Sequence, residues 1–423
     1  MMALRRPFWV WLHRWAGLAM ASFLIIVGIT GSLLAFYPDL EQLINPQFYP
    51  KRTLAHKLDV ATLAELTEQR IAPHGRVDVI LLEGNQGATL AGVSARPDEA
   101  GQSGELGFDQ VILNPYTGEE LVRRQFGAIS EGMINFMSFI YELHWSLTLG
   151  SFGMWVLGIC ALIWTLDCFV GFYLTLPQRR RQSTSTASAH SAWWQRWQPA
   201  WKIRWRSSPY KLNFDLHRAS GLWLWLILLT FAWSSVYMNM WDTVYTWTTR
   251  AVLEFKAPWT ELEKREVPLA APKISWREAQ SIAEKLMAEQ ADQHDFAVER
   301  VVALALNRMN GVYVYTVRSS KEIQDKQGRT SIYFDANSGE LKLALLPSGQ
   351  YSGNTVTTWL KALHMANVFG LPYRIFVCVL GLVIVLLSVT GIIIWMKKRQ
   401  ARFSVSSRQQ ESSYLNSPTP RLP

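Results

Sequence analysis

Apolar residues along this chain are gathered into four long blocks set between polar stretches. Trp15 to Tyr37 carries no charge, Gly150 to Leu176 carries only Asp167, and Leu222 to Met240 and Ile375 to Met396 carry none. Each block is about 20 residues or longer, enough for a helix to cross a hydrocarbon layer roughly 30 Å thick. The pattern predicts transmembrane helices within 8–37, 144–176, 216–240 and 364–397, the second and fourth each with a short helix before it. Between them the period changes. Segment 38–143 predicts a helix over Val60 to Ile71, then strands near Val77 to Leu82, Thr89 to Val93 and Phe108 to Leu113. The turn Asn114-Pro115-Tyr116-Thr117-Gly118 leads into a last strand, Glu119 to Val122. Segment 241–363 repeats the plan. Ser275 and Glu278 form a capping box for a helix to Met287. Strands follow near Ala297 to Leu306, Gly311 to Val317, Ser331 to Phe334 and, after the turn Asp335 to Gly339, Glu340 to Leu345. The expected fold class is an integral membrane α-helical protein with four transmembrane helices, an internal duplication and two α+β domains outside the membrane.

Charge orients this plan. The loop 177–215 holds Arg179, Arg180, Arg181, Arg196, Lys202, Arg204, Arg206 and Lys211 against Asp215 alone, and both chain ends are basic. By the positive-inside rule the loop and both termini face the cytoplasm. Of the 33 acidic residues, all but Asp167, Asp215 and Glu411 fall in 38–143 and 241–363, which are therefore external. The net charge of +9 is a topology signal, and no nucleic-acid partner is expected. The first span is too long for a signal-peptide core, and Tyr37-Pro38-Asp39-Leu40 offers no small-residue cleavage site, so it is read as retained. Cys160, Cys168 and Cys378 lie in the spans, so disulfides are not part of the external design. The Ser/Thr/Ala-rich run Ser183 to Ser191 reads as flexible, and 398–423 as a disordered cytoplasmic tail. Trp193, Trp194, Trp197, Trp201 and Trp205, interleaved with basic residues, predict a segment lying on anionic lipid, with a docking surface as the alternative.

Four of the 8 histidines recur in the two halves. Leu12-His13-Arg14-Trp15-Ala16-Gly17 parallels Leu216-His217-Arg218-Ala219-Ser220-Gly221. Gly150 and Gly171 lie 6 and 27 residues after His144, as Gly370 and Gly391 do after His364. A histidine at a span end is commonly just an amphipathic side chain near the headgroups. The repeated set carries more: under pseudo-two-fold symmetry His13 faces His217 on the inner side, and His144 faces His364 on the outer side. Two opposed imidazoles in a helix bundle are the ligands of a low-spin haem iron. Gly17 and Gly221 would let a flat macrocycle approach the backbone, and Arg14 and Arg218 could pair with its propionates. From His144 to Pro177 one continuous helix would run roughly 50 Å, so breaks are expected at Gly150-Ser151-Phe152-Gly153 and Gly370-Leu371-Pro372. The expectation is two b-type haems stacked across the membrane. Pairing His13 with His144 would instead span most of the bilayer. Asp167 breaks the symmetry, since Leu387 occupies the equivalent place; proton movement and a structural hydrogen bond are both open to it. Tyr141, Glu142 and Lys361 lie beside the external ligands.

The Leu-His-Arg-Trp-Ala-Gly start, Gly28-Ile29-Thr30-Gly31, the turns Asn-Pro-Tyr-Thr-Gly-Glu and Asp-Ala-Asn-Ser-Gly-Glu, and Val389-Thr390-Gly391 resemble the PepSY-associated transmembrane proteins. The resemblance covers nearly the whole chain up to the tail, with one departure: Ala232-Trp233-Ser234-Ser235 stands in the third span where the first has Thr30-Gly31. It implies periplasmic PepSY-like domains and, by likeness to di-haem reductases of ferric siderophores in the bacterial inner membrane, haem ligation by His13, His144, His217 and His364. The implied activity is reduction of siderophore-bound ferric iron in the periplasm. Lacking a Gly-x-Gly-x-x-Gly segment, the chain would need a separate electron donor, a cytoplasmic reductase or a quinol. Two other readings stay open: a non-enzymatic membrane protein restraining a periplasmic partner, and a transporter of iron chelates.

Overall fold

A computed structural model of the chain describes residues 6–51, 53–82, 88–97, 104–178 and 189–415, with side chains left aside at 189–192 and 402–415. Arg179 to Arg181, most of the Ser/Thr/Ala-rich run and the last eight positions lie outside the described residues. The chain opens with the long helix α1 (Arg6–Leu34), short α2 (Tyr37–Ile44) and α3 (Val60–Ile71). Strands β1 (Gly75–Leu81), β2 (Leu90–Ala95), β3 (Gln110–Leu113) and β4 (Glu120–Arg124) follow, then α4 (Phe136–Ser146) and α5 (Gly150–Thr175). The second half runs α6 (Ala189–Trp197), α7 (Pro209–Trp223), α8 (Trp225–Asn239), the short α9 (Thr246–Arg250) and α10 (Pro258–Glu261), then α11 (Trp276–His294). It ends with β5 (Val298–Asn307), β6 (Val312–Ser319), β7 (Thr330–Asp335), β8 (Leu341–Leu345), α12 (Ser352–His364) and α13 (Gly370–Leu415). Two compact units result, one of Met1–Ile29, Ile159–Trp233 and Val379–Pro423, the other of Thr30–Gly158 and Ser234–Cys378.

The first unit is helical. Among the described residues α1, α5 and α13 are long and apolar enough to cross a membrane. The third predicted span is not one straight helix. It consists of α7 and α8, bent by 71° at Leu224. The cause lies in the adjacent pair Ser220-Gly221: Ser220 Oγ donates back to the Leu216 carbonyl, and glycine resists the bend least. Gly28 allows α1 to lie close against α13, since a Cβ there would stand 2.8 Å from the Gly381 carbonyl oxygen. Trp225 Nε1 donates to the Cys168 carbonyl at 2.8 Å and ties α8 to α5. Helix α13 continues to Leu415, where an irregular tail from 398 is predicted. Nothing between Lys397 and Leu415 breaks a helix, and the first proline is Pro418.

The second unit contains the strands, and here the structure corrects the expectation of two separate α+β domains. All eight strands form a single antiparallel sheet in the order β4-β3-β2-β1-β5-β6-β7-β8. Each half contributes a four-stranded meander, and the halves join where Val79, Ile80 and Leu81 pair with Ala305, Leu304 and Ala303. Left apart, β1 and β5 would each present unpaired backbone groups, so their pairing removes two edges at once. Helices α3 and α11 share one hydrophobic core with both halves of the sheet, including Leu63, Ile80, Ala283, Leu304 and Tyr313. Local chemistry starts both helices, at α3 through a cap that the sequence reading did not name and at α11 through the predicted one. Asp59 accepts from Thr62 N at 2.8 Å, while Ser275 and Glu278 make the reciprocal capping box. Gly118 (φ 70°) and Gly339 (φ 78°) close the two predicted turns in the left-handed region.

Candidate cofactor sites

In the helical unit His13 on α1 and His217 on α7 face one another, with ring centroids 6.2 Å apart and planes 59° apart. Each ring is braced by the helix beside its own. His13 Nδ1 lies 2.9 and 3.0 Å from the two carboxylate oxygens of Asp167 on α5, and Gly171 lies beside its Cε1 edge, where a Cβ would stand 3.5 Å away. His217 Nδ1 lies 3.0 Å from the Leu387 carbonyl and 3.1 Å from Thr390 Oγ1 on α13, where a Cβ on Gly391 would stand a tight 3.3 Å from the ring's Cε1. A carboxylate and a carbonyl can only accept, so Nδ1 carries the proton in both rings and the Nε2 lone pair remains for a ligand.

The other unit repeats the arrangement. His144 on α4 and His364 on α12 have centroids 6.2 Å apart and planes at 65°. Thr30 Oγ1 on α1 holds His144 Nδ1 at 2.9 Å, and Ser234 Oγ on α8 holds His364 Nδ1 at 2.7 Å. Gly31 is the counterpart of Gly171 and Gly391, since a Cβ there would stand 3.0 Å from His144 Cε1. Each ligand helix ends just after its histidine. Leu147 and Thr148 (φ 55° and 58°) interrupt the chain before Gly150, and Ala366 and Phe369 (φ 51° and 61°) do so before Gly370. The expected breaks thus fall a few residues earlier than Gly150-Ser151-Phe152-Gly153 and Gly370-Leu371-Pro372, with each glycine starting the next helix.

The spacing of the pairs can be compared with what one shared metal requires. A metal–imidazole bond of about 2.0–2.1 Å, with each ring centre about 1.1 Å behind its nitrogen, puts opposed centroids about 6.3 Å apart. Both pairs match it. Among the described residues no group of three or more His, Cys, Asp or Glu side chains is placed to hold a bare metal ion. Two opposed imidazoles are a partial set that suits a metal whose remaining ligands come from a macrocycle. The donor set and its spacing therefore fit a bis-histidine haem. Around the first pair lies a cavity of about 470 Å³, within the usual range for cofactor sites. Gly17 and Gly221 both line it; a Cβ on Gly17 would meet nothing within 4 Å, and one on Gly221 only Leu387 Cδ2 at 3.7 Å.

Arg14 and Arg218 also line this cavity, in unequal states. Arg14 makes no hydrogen bond or ion pair among the described residues. Arg218 Nη2 is held by Asp215 Oδ1 at 2.9 Å and by the Pro199 carbonyl, which leaves its buried Nε unpartnered. Tyr141 packs edge-on between Tyr37 and Phe126, and Glu142 accepts from Ser146 Oγ, so both have roles in packing. The residues that sequence reasoning missed are the braces Thr30, Ser234, Thr390 and the Leu387 carbonyl. Their signal was present as the two Thr-Gly pairs, Thr30-Gly31 and Thr390-Gly391, in which the hydroxyl meets a ring nitrogen and the glycine makes room for the ring.

Fold and site together define a membrane protein built by duplication around two histidine pairs. The chain belongs to the family described as PepSY-associated TM region, whose pattern matches residues 10–398. No curated protein matches it.

Proposed function

We propose that this chain is an electron-transfer protein of the bacterial inner membrane that binds two b-type haems and reduces siderophore-bound ferric iron on its external side. The observation that carries the reading is the equal 6.2 Å separation of two symmetry-related histidine pairs. His13 and His217 would hold one group and His144 and His364 the other, and a haem bound there would supply one-electron chemistry. The protein's own part is to hold the Nδ1 atoms of four rings, with acceptor-only partners setting the tautomer of His13 and His217, to leave space at Gly17, Gly31, Gly221 and Gly391, and to keep the first site in an apolar cavity. Arg14, which lines that cavity, is a cation placed to pair with a propionate there.

The chemistry of the substrate supports a one-electron delivery. Siderophores hold ferric iron through hard oxygen donors that suit ferrous iron far less, so one electron turns an inert chelate into a labile one. The donor is a separate quinol or cytoplasmic reductase. Rapid mixing of the reduced protein with a ferric hydroxamate chelate, in the presence of a chromogenic ferrous trap, tests the activity. Reoxidation matched by trapped ferrous iron is expected. A reduced protein that keeps its electrons in the presence of the chelate contradicts the reductase assignment.

A further inference from the structure

The braces described for the four histidines differ in charge, and among them Asp167 is the anion. Thr30 and Ser234 offer hydroxyls to the second pair, and Leu387 and Thr390 offer a carbonyl and a hydroxyl to His217. Among the described hydrogen bonds of these four rings, the carboxylate is the one on His13. The Asp167 side chain is 10% exposed, both of its oxygens lie within 3.0 Å of the same Nδ1, and it makes no other hydrogen bond among the described residues. It is also the one acidic residue in the four apolar blocks. The duplication supplies an internal control, because the corresponding positions of the second half are Leu387 and Thr390, against Asp167 and Val170 in the first. A neutral brace is thus enough to orient a ring in this fold. A buried carboxylate is a costly way to do the same, so its charge needs a separate reason.

Resting on the haem reading above, we infer that Asp167 makes the His13–His217 site the more reducing of the two. An anion accepting from Nδ1–H pushes electron density into the ring, and a richer Nε2 donor favours ferric over ferrous iron. Burial strengthens this effect, because little solvent screens the charge. The His144–His364 site, braced by neutral hydroxyls, holds an electron more readily. With haem held by both histidine pairs, the Asp167 brace would favour ferric iron at His13–His217 and so leave the electron to the His144–His364 site, the direction required to serve an external ferric chelate. Asp167 acts through His13 and is a positioning and tuning residue.

Spectroelectrochemical titration of the full chain tests this with two single-site variants, His144→Ala to isolate the first site and His13→Ala to isolate the second. The first site is expected at the lower potential. Adding Asp167→Asn to His144→Ala should raise that potential by roughly tenfold in the reduction equilibrium, ~59 mV for one electron, and should change the low-spin ferric resonance spectrum. Added to His13→Ala, the same substitution should leave the second potential where it was. Haem bound at both sites with the first potential at or above the second overturns the inference and leaves the haem reading intact, and so does an unmoved potential in Asp167→Asn. If Asp167→Asn loses its haem, the comparison of the two single-site variants decides. A protein that binds no haem at either site overturns both.

Discussion

At the scale of single residues, a side chain usually dismissed as helix filler sets the site. A threonine or serine in a span commonly bonds back to the carbonyl four residues earlier, and Thr390 does this to Leu386 while also meeting His217 Nδ1. Thr30 and Ser234 do for the second pair what Thr390 does for His217. Such braces hold a ligand ring in its orientation, and their loss typically costs about 10–100-fold in metal affinity. Thr30→Val keeps the shape and removes the oxygen. It should weaken haem binding at His144–His364 by about that factor and leave His13–His217 unchanged, as measured by haem titration of each site's low-spin absorption. An affinity at His144–His364 unchanged from the parent protein would show that the hydroxyl is incidental. The sequence displays these residues without displaying their role, since a hydroxyl's partner across the bundle is set by packing. The histidines were legible because their spacing repeats; their braces come from neighbouring helices and repeat only in part, with Gly31 answered by Ser235.

Among elements, the strands and the capped helices follow closely from local pattern. Helix α3 spans the predicted Val60–Ile71, and α11 starts at its predicted cap. At Asp59 burial, which would raise the carboxyl, is outweighed by hydrogen bonds from Thr62 and by Arg277, and its titration lies below the ordinary aspartate range. A carboxyl depressed on folding adds stability above its unfolded value, about 3.9, and that contribution is lost as pH falls through the lower folded value. Asp59→Ala should remove this acid-sensitive part and cost about 1 kcal/mol at neutral pH, a comparison made by hydrogen exchange of α3 amides across acidic pH. Equal protection in both proteins at neutral pH would contradict it. The bend at Leu224 and the helical run to Leu415 were less legible. Periodicity reports which face is apolar, while a kink depends on one Ser-Gly pair and a helix end on the absence of a stop signal.

At the scale of the whole molecule, duplication explains both the repeated histidines and the sheet. The two meanders were legible strand by strand, but their fusion through β1 and β5 was not. That pairing joins residues more than 200 positions apart, and no local pattern encodes it. The seam is reinforced by Arg308, which is 9% exposed and bonds Asp78 Oδ1 at 2.6 Å and the Val77, Leu269 and Ala270 carbonyls. Arg277, by contrast, bridges Asp59 and Glu65 at the surface. Removing a buried partner strands the groups it satisfied, so Arg308→Ala should cost about 3 kcal/mol, while Arg277→Ala should cost about 1 kcal/mol or less. Amide exchange of β1 and β5 reads the difference, and equal effects would show that the seam does not depend on Arg308.

The proposed function requires each histidine pair to share one haem iron. The most direct measurement is the reduced-minus-oxidised absorption spectrum of the purified protein, expressed with ample haem and quantified per chain, together with the spectra of His13→Ala and His364→Ala. Two low-spin haems are predicted in the parent protein and one in each variant, lost from a different site in each case. A colourless parent protein, or two intact low-spin haems in either variant, would contradict it.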